Sequence, residues 1–175
     1  MGILKFKDNS KSTSYLTVSV LGKALKLNIK YINTSKIELN KNDYEINLYL
    51  PKQYKNNKNI DIINLSIQKL YNTIAETEIE YAMEVARHIL KFAPEDYKIQ
   101  RINDSFYKCI KNKIIINPDI VKFNREIINT TIIQAFCRLK YRPNSTVYKK
   151  TLANALNSYD IFKSNKFKEK ALRVS

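Results

Sequence analysis

The spacing of apolar residues changes once along the 175-residue chain, between residues 50 and 60. Up to Leu50, apolar and polar side chains alternate, which is the period of a β-strand with one solvated face. From Ile60 to Phe92, apolar residues recur every three or four positions, as on one face of a helix. The alternating segments are 15–21, 25–31, 36–39 and 44–50. The sequence therefore predicts an antiparallel sheet followed by a long helical region.

The predicted helical stripe includes Tyr81 and His88. The polar pair Thr77 and Glu78 interrupts it, so the region is one long helix or two shorter ones. A histidine on such a stripe is typically a hydrogen-bonded boundary residue, so we do not expect His88 to be a catalyst.

The second half of the chain predicts a small sheet and then more helices. Three strands are expected at 97–101, 105–110 and 113–117. Helical segments are expected at 117–141, 146–157 and 160–171. The order of strands and helices predicts an α+β fold, with helices packed on small antiparallel sheets.

The domain organisation follows from these segments. We expect a flexible N-terminus over residues 1–14, a β-rich part over 15–59 and an α+β part over 60–175. The polar segment from Pro51 to Asn59 is the linker candidate. The β-rich part and the α+β part are expected to pack together as one compact unit.

Glycine and metal-ligating residues are scarce, which argues against several enzyme classes. The chain has 2 Gly, and loops that press backbone amides against the phosphates of a nucleotide need several. One His and 2 Cys are too few for a multi-His zinc site, an iron–sulfur cluster or a zinc ribbon. We therefore expect neither a nucleotide-fold enzyme nor a metal centre of these kinds.

Lys and Arg outnumber Asp and Glu by 31 to 16, a formal net charge of +15. Such a charge favours a polyanionic partner such as nucleic acid. Most of the cations are Lys, and Lys, Ile and Asn share A/T-rich codons, so the base composition of the gene explains the excess at least as well. Residues 1–60 and 138–175 carry the net charge, and weak binding of polyanions by these ends stays open.

The chain shows no sign of a membrane segment or a disulfide framework. No run of 18 uncharged residues and no signal-like apolar segment occurs, so no membrane partner is expected. Cys109 and Cys137 are solitary, which is typical of a reducing compartment. We expect a cytoplasmic location.

The segment 127–139 is apolar nearly all round, which predicts a helix buried on most sides. One narrow polar strip remains, because Thr131, Gln134 and Arg138 recur at spacings of three and four. A guanidinium group on such a helix needs an anion or a solvated cavity nearby. After this helix, Ser145 is expected to cap the next one at Thr146 and not to act as a nucleophile.

The order of residues from Tyr81 to Tyr159 resembles the YgjP-like metallopeptidase family, relatives of the SprT-like zincins. In that family a helix carries H-E-x-x-H, whose two His and a third His in an N-H-S segment bind zinc, while the Glu is the general base. The resemblance is carried by the helix and following loop, 134–148, and by three upstream segments, 99–101, 106–109 and 114–117. It implies a zincin-type fold and, for the family, a zinc-dependent hydrolase.

The residues that the family uses for chemistry are replaced in this chain. On the resemblance, Gln134 and Arg138 occupy the positions of the two helical His, Ala135 that of the Glu and Asn144 that of the third His. Amides are poor zinc ligands, Arg cannot deprotonate to bind a metal, and Ala transfers no proton. We therefore expect no cofactor and no catalysis, and a pseudoenzyme that binds a partner in the vacated cleft.

The expected partner of this cleft is a carboxylate group of a peptide or protein, because one cation and two amides suit an anion. Two alternatives stay open. The chain is a basic nucleic-acid-associated protein, or it is an active metal-dependent hydrolase with a non-standard site, for which His88, Cys109 and Cys137 are the remaining ligand types.

Overall fold

The computed structural model describes residues 5–7, 15–55 and 60–172. In these residues five strands precede the long helix α1 (Ile60–Leu90), and three strands follow it. Helices α2 (Arg125–Lys140) and α3 (Thr146–Leu172) come last. The predicted α+β fold class is therefore confirmed. The predicted flexible segment 1–14 lies outside the described residues except for strand β1 (Lys5–Lys7).

The first sheet has the strand order β1-β2-β3-β5-β4. Its further strands are β2 (Tyr15–Val20), β3 (Lys23–Ile32), β4 (Glu38–Lys41) and β5 (Glu45–Pro51). Neighbouring strands are antiparallel except β3 and β5, which are parallel, so the expectation of an antiparallel sheet is wrong for this pair. The reason is that β4 forms an edge hairpin with β5, which makes β5 run in the direction of β3.

The alternation of side chains along these strands places one apolar face inside. The residues buried on that face include Val18, Val20, Leu25, Leu27, Ile46, Leu48 and Leu50. The opposite face is polar, and there the Asn28 amide donates to Glu45 Oε2 at 2.7 Å. In the first half of α1, Ile67 and Tyr71 are fully buried, and the Tyr71 hydroxyl donates to the Ser19 carbonyl at 2.9 Å. The alternation of apolar and polar residues therefore determines which face of the first sheet is buried.

Helix α1 runs without interruption through Thr77 and Glu78, so the region is one helix. Its buried stripe differs from the predicted one, because Tyr81 and His88 are exposed. Small side chains complete the stripe instead. The fully or nearly fully buried residues of the second half of α1 include Ala75, Ile79, Ala82, Val85 and Ala86.

The second sheet has the order β6-β8-β7, with β6 (Asp96–Ile99), β7 (Tyr107–Ile110) and β8 (Lys113–Ile116). The three predicted strands are therefore present. Strands β7 and β8 form an antiparallel hairpin whose turn holds Lys111 at a φ of 53°. Strands β6 and β8 are parallel, so the expectation of antiparallel sheets is wrong for this pair too. A short 3-10 helix (Pro118–Lys122) precedes α2, and α3 is one helix where two short ones were predicted.

The chain divides into two compact units. The first comprises Met1–Ile74 and Val121–Asn124, and the second comprises Ala75–Ile120 and Arg125–Ser175. The first five strands and the first half of α1 therefore belong to one unit, and the second sheet with α2 and α3 to the other. Within the described ranges, no helix combines the length and the apolar character needed to cross a membrane.

Candidate functional site

Helix α2 is buried on most of its surface, as its sequence predicts. Ile128, Ile132, Ile133, Phe136 and Cys137 are all buried. The ring of Phe136 packs against that of Phe92, with 5.8 Å between the ring centroids. Within the segment 127–139 the exposed residues are Ile127, Gln134 and Arg138, so the two polar ones are candidates for binding.

The structure separates the four positions that the sequence singles out. Gln134 and Arg138, one helical turn apart, are exposed on the same strip of α2, and Thr131 beside them is half-buried. Ala135 is fully buried, on the side of α2 that faces away from solvent. Asn144 is exposed in the loop after α2 and has a φ of 67°, a conformation that Asn tolerates better than most residues.

Arg138 lies on the aromatic ring of Tyr107 from strand β7. Its guanidinium carbon is 5.9 Å from the centroid of that ring, which is the geometry of a cation–π contact. Hydrogen bonding with the Tyr107 hydroxyl raises the pKa of Arg138, so the guanidinium group is charged at any physiological pH. Cys109 and Tyr148 are its other electrostatic neighbours. Within the described part of the chain, no carboxylate pairs with Arg138.

Most other arginines of the described residues have an acidic partner. Arg87 pairs with Glu84, Arg101 with Asp119 at 3.0 Å and Arg125 with Glu78 at 2.6 Å. Arg138 and Arg142 are the described arginines for which no ion pair is found. The charge of Arg138 is therefore available to an anion that comes from outside the chain.

Strand β7 lies beside the exposed strip of α2. Tyr107 and Cys109 are two residues apart and lie on the same face of the strand. The Cys109 thiol lies 3.5 Å from the carbonyl oxygen of Ala135, so β7 packs along α2. Burial raises the pKa of Cys109 despite the opposing effect of Arg138, which keeps the thiol protonated and a weak nucleophile.

Ser145 caps helix α3, as predicted. Its hydroxyl oxygen accepts a hydrogen bond from the Tyr148 amide at 3.1 Å, which is the N-cap interaction. The Ser145 amide in turn donates to the Arg142 carbonyl at 3.2 Å. These hydrogen bonds hold the loop that carries Asn144 in place. The Ser145 hydroxyl therefore has a structural role.

The exposed candidate residues of α2 and the following loop do not fit a zinc ion. Gln134, Arg138 and Asn144 provide two amides and a fixed cation where a zinc site needs imidazole, thiolate or carboxylate. In the described residues, no group of three or more His, Cys, Asp or Glu side chains is placed to hold a metal ion, and this includes His88, Cys109 and Cys137. His88 instead lies beside the Phe162 ring, at 6.0 Å between centroids.

Sequence reasoning missed the role of Tyr107 and Tyr148 as neighbours of Arg138. The period of α2 shows which residues share the exposed strip, but it does not show which strand lies against them. The available signal was the alternation of Tyr107 and Cys109 in β7, which predicts a shared face without naming its partner helix.

Comparison of the chain with protein-family models, with curated proteins and with solved structures finds no match in any of the three. The resemblance to YgjP-like metallopeptidases therefore stays a prediction from the residues of this chain.

Proposed function

We propose that this protein is a YgjP-like metallopeptidase homologue that has lost its metal ligands and general base, and that it binds a carboxylate group of a peptide or protein at Arg138. The observation that carries the proposal is an exposed, unpaired arginine on a helix that is otherwise largely buried. Gln134, one turn away on the same strip, adds an amide donor. Catalysis is not part of the proposal, because the strip offers no general base.

The expected affinity follows from the chemistry of the strip. A hydrogen bond to a charged group contributes about 1.5–3 kcal/mol, and the planar guanidinium of Arg138 can make two to one carboxylate. A Kd of 1 mM corresponds to about −4 kcal/mol. Because Arg138 is exposed and water screens its charge, an isolated carboxylate should bind no more tightly than the millimolar range, and tighter binding requires contacts from the rest of the peptide.

Titration of the protein with a short acetylated peptide tests the proposal. We expect the free-acid form to shift the NMR resonance of the Arg138 Nε–H group at millimolar concentrations, and the C-terminally amidated form to leave it unchanged. Arg138→Gln should abolish the effect on neighbouring resonances. Arg87→Gln, at an exposed arginine that pairs with Glu84, is the matched control and should leave binding intact. Equal effects of the acid and the amide would rule out carboxylate recognition.

Reintroducing zinc ligands tests the ancestry. We predict that the triple variant Gln134→His, Arg138→His and Asn144→His binds zinc, because His at i and i+4 on one helical face project onto the same ion. Isothermal titration with zinc measures the affinity, and the double variant that keeps Asn144 is the control and should bind more weakly. A folded triple variant with no zinc affinity would contradict the proposed family frame. Adding Ala135→Glu tests the base position separately, since Ala135 is buried.

The alternative of an active metal-dependent hydrolase predicts a resident metal. Elemental analysis of the purified protein distinguishes an active hydrolase from a binding protein without a metal. About one zinc per chain that survives dialysis would overturn the proposed loss of the metal site.

A further inference from the structure

The segment that runs from α2 into the start of α3 has no acidic residues. Residues 127–159 contain no Asp or Glu. Their cationic residues are all exposed and all belong to the second unit: Arg138, Lys140, Arg142, Lys149 and Lys150. These five residues are called the α2–α3 basic surface below. Its charge is not balanced by acidic residues of the same segment.

No ion pair is found for any of these five side chains within the described residues. Elsewhere in the second unit some cations are paired with acids, as Arg125 is with Glu78 and Lys163 is with Glu126 at 3.0 Å, whereas for others, such as Lys98 and Lys108, no ion pair is found among the described residues. Two of the five cations, Arg138 and Lys140, lie over aromatic rings. The Lys140 ammonium lies 4.8 Å from the centroid of Phe92. The A/T-rich codons that enrich Lys over the whole chain do not explain why acids are missing here.

The start of α3 is an unfavourable place for positive charge. A helix N-terminus carries a charge of about +0.5, so acids stabilise the first turn by about 0.3–1 kcal/mol and cations destabilise it. The first turn of α3 contains no acid, Lys149 lies in it and Lys150 follows. Departures from a local stability rule concentrate at functional sites. The amide groups of this turn and the two lysines together attract anions.

The neighbours of the cations fit a sugar–phosphate backbone better than a lipid surface. The same segment carries exposed amides that can donate to phosphate or sugar oxygens: Gln134, Asn144, Asn154 and Asn157. In the described segment 127–159 the exposed large apolar side chains are Ile127 and Val147, on different helices. Membrane association needs a broad apolar face beside the cations. We propose that the α2–α3 basic surface binds the phosphodiester backbone of a nucleic acid.

This inference does not rest on the proposed peptide binding. The two share Arg138, so the test leaves Arg138 unchanged and replaces the other four cations. The variant is Lys140→Gln, Arg142→Gln, Lys149→Gln and Lys150→Gln. The matched control removes the same charge from exposed lysines of the first unit: Lys36→Gln, Lys41→Gln, Lys52→Gln and Lys55→Gln. Circular dichroism checks that both variants keep the fold.

Fluorescence anisotropy with a labelled oligonucleotide, single-stranded or duplex, measures binding over a range of salt concentrations. Each neutralised phosphate contributes roughly 0.7 to the slope of log K against log salt for a single strand and roughly 0.9 for a duplex. We expect the surface variant to lower the magnitude of the slope by about 3 to 4 and the control variant to leave it unchanged. Equal slopes for the wild type and the surface variant, or an equal loss in both variants, would overturn the proposal. Binding to vesicles of anionic lipid without binding to either oligonucleotide would also overturn it.

Discussion

At Gly22, backbone geometry restricts which residue the chain can carry. The turn between β2 and β3 places Leu21 at a φ of 48° and Gly22 at 80°. The amides of these two residues donate to the carbonyls of Val121 at 2.7 Å and Lys122 at 3.2 Å. A Cβ atom on Gly22 would lie 2.9 Å from the Cβ of Asn124. The turn therefore needs glycine both for its conformation and for the close approach of residues 121–124.

We predict that Gly22→Ala lowers the free energy of unfolding by about 1–3 kcal/mol, because it adds strain at positive φ and a steric overlap that the neighbouring backbone must relieve. Urea denaturation measures the change. Lys23→Ala, at the next and exposed position, is the control and should alter stability little. The explanation is wrong if the two variants are equally stable.

The sequence does not predict the hydrogen bonds of the Asn117 side chain. Its side-chain amide donates to the carbonyls of Ile102 at 2.8 Å and Ser105 at 3.2 Å, and its carbonyl oxygen accepts from the Asp119 amide at 3.1 Å. The sequence predicts only that a strand ends there, because hydrogen bonds to distant backbone groups leave no periodic signal. Arg138 is similar: the period places it on an exposed strip, and nothing in the sequence names Tyr107 as its neighbour.

At the scale of secondary structure, the sequence predicted which segments form strands and helices more reliably than how they pair or end. The parallel pair of β3 and β5 was missed because alternation reveals the buried face of a strand and not the direction of its neighbour. In α1, large apolar residues suggested a stripe through Tyr81 and His88, whereas alanines complete the buried one. Close packing beside a helix can require a small side chain, which a hydrophobicity pattern underweights.

We expect Ala86→Leu to lower the free energy of unfolding by about 1–3 kcal/mol, because Ala86 is fully buried and a larger side chain must displace packed neighbours. Thermal or urea denaturation measures the loss. Ala153→Leu is the matched control, because Ala153 is an exposed position of another helix, α3, and there leucine should be nearly neutral. A destabilisation of the same size at both positions would contradict this explanation.

For the whole molecule, pKa shifts in the second unit predict a stability limit at alkaline pH. Burial raises the pKa of Tyr97, Tyr107 and Tyr159, and it raises the pKa of the two cysteines, Cys109 and Cys137. Each of these groups is neutral when protonated. The folded state therefore holds their protons more tightly than the unfolded chain does.

The sign of the pH dependence follows from linkage. Where the folded state binds more protons, stability falls as pH rises, beginning near the ordinary pKa values of about 8.5 for Cys and 10 for Tyr. We predict that the free energy of unfolding is nearly constant below this range with respect to these groups and declines above it. Urea denaturation at a series of alkaline pH values measures the slope.

Tyr159→Phe should make that alkaline decline shallower, because burial raises the pKa of Tyr159 even though the hydrogen bond that it accepts from Asn129 at 3.2 Å lowers it. Tyr44→Phe is the matched control, since the Tyr44 ring is 84% exposed, and it should leave the slope unchanged. If both variants change the slope equally, or neither does, buried tyrosine does not set the limit.

The division of the chain into units restricts how it can be cut. A fragment that ends at Ile74 lacks Val121 and Lys122, whose carbonyls accept hydrogen bonds from the β2–β3 turn. A fragment that begins at Ala75 contains the segment Val121–Asn124 but lacks the β2–β3 hairpin to which this segment bonds. Both fragments also split α1, which is a single helix. Truncated versions made for expression should therefore be poorly folded, and circular permutation that keeps every residue is the better route to new termini.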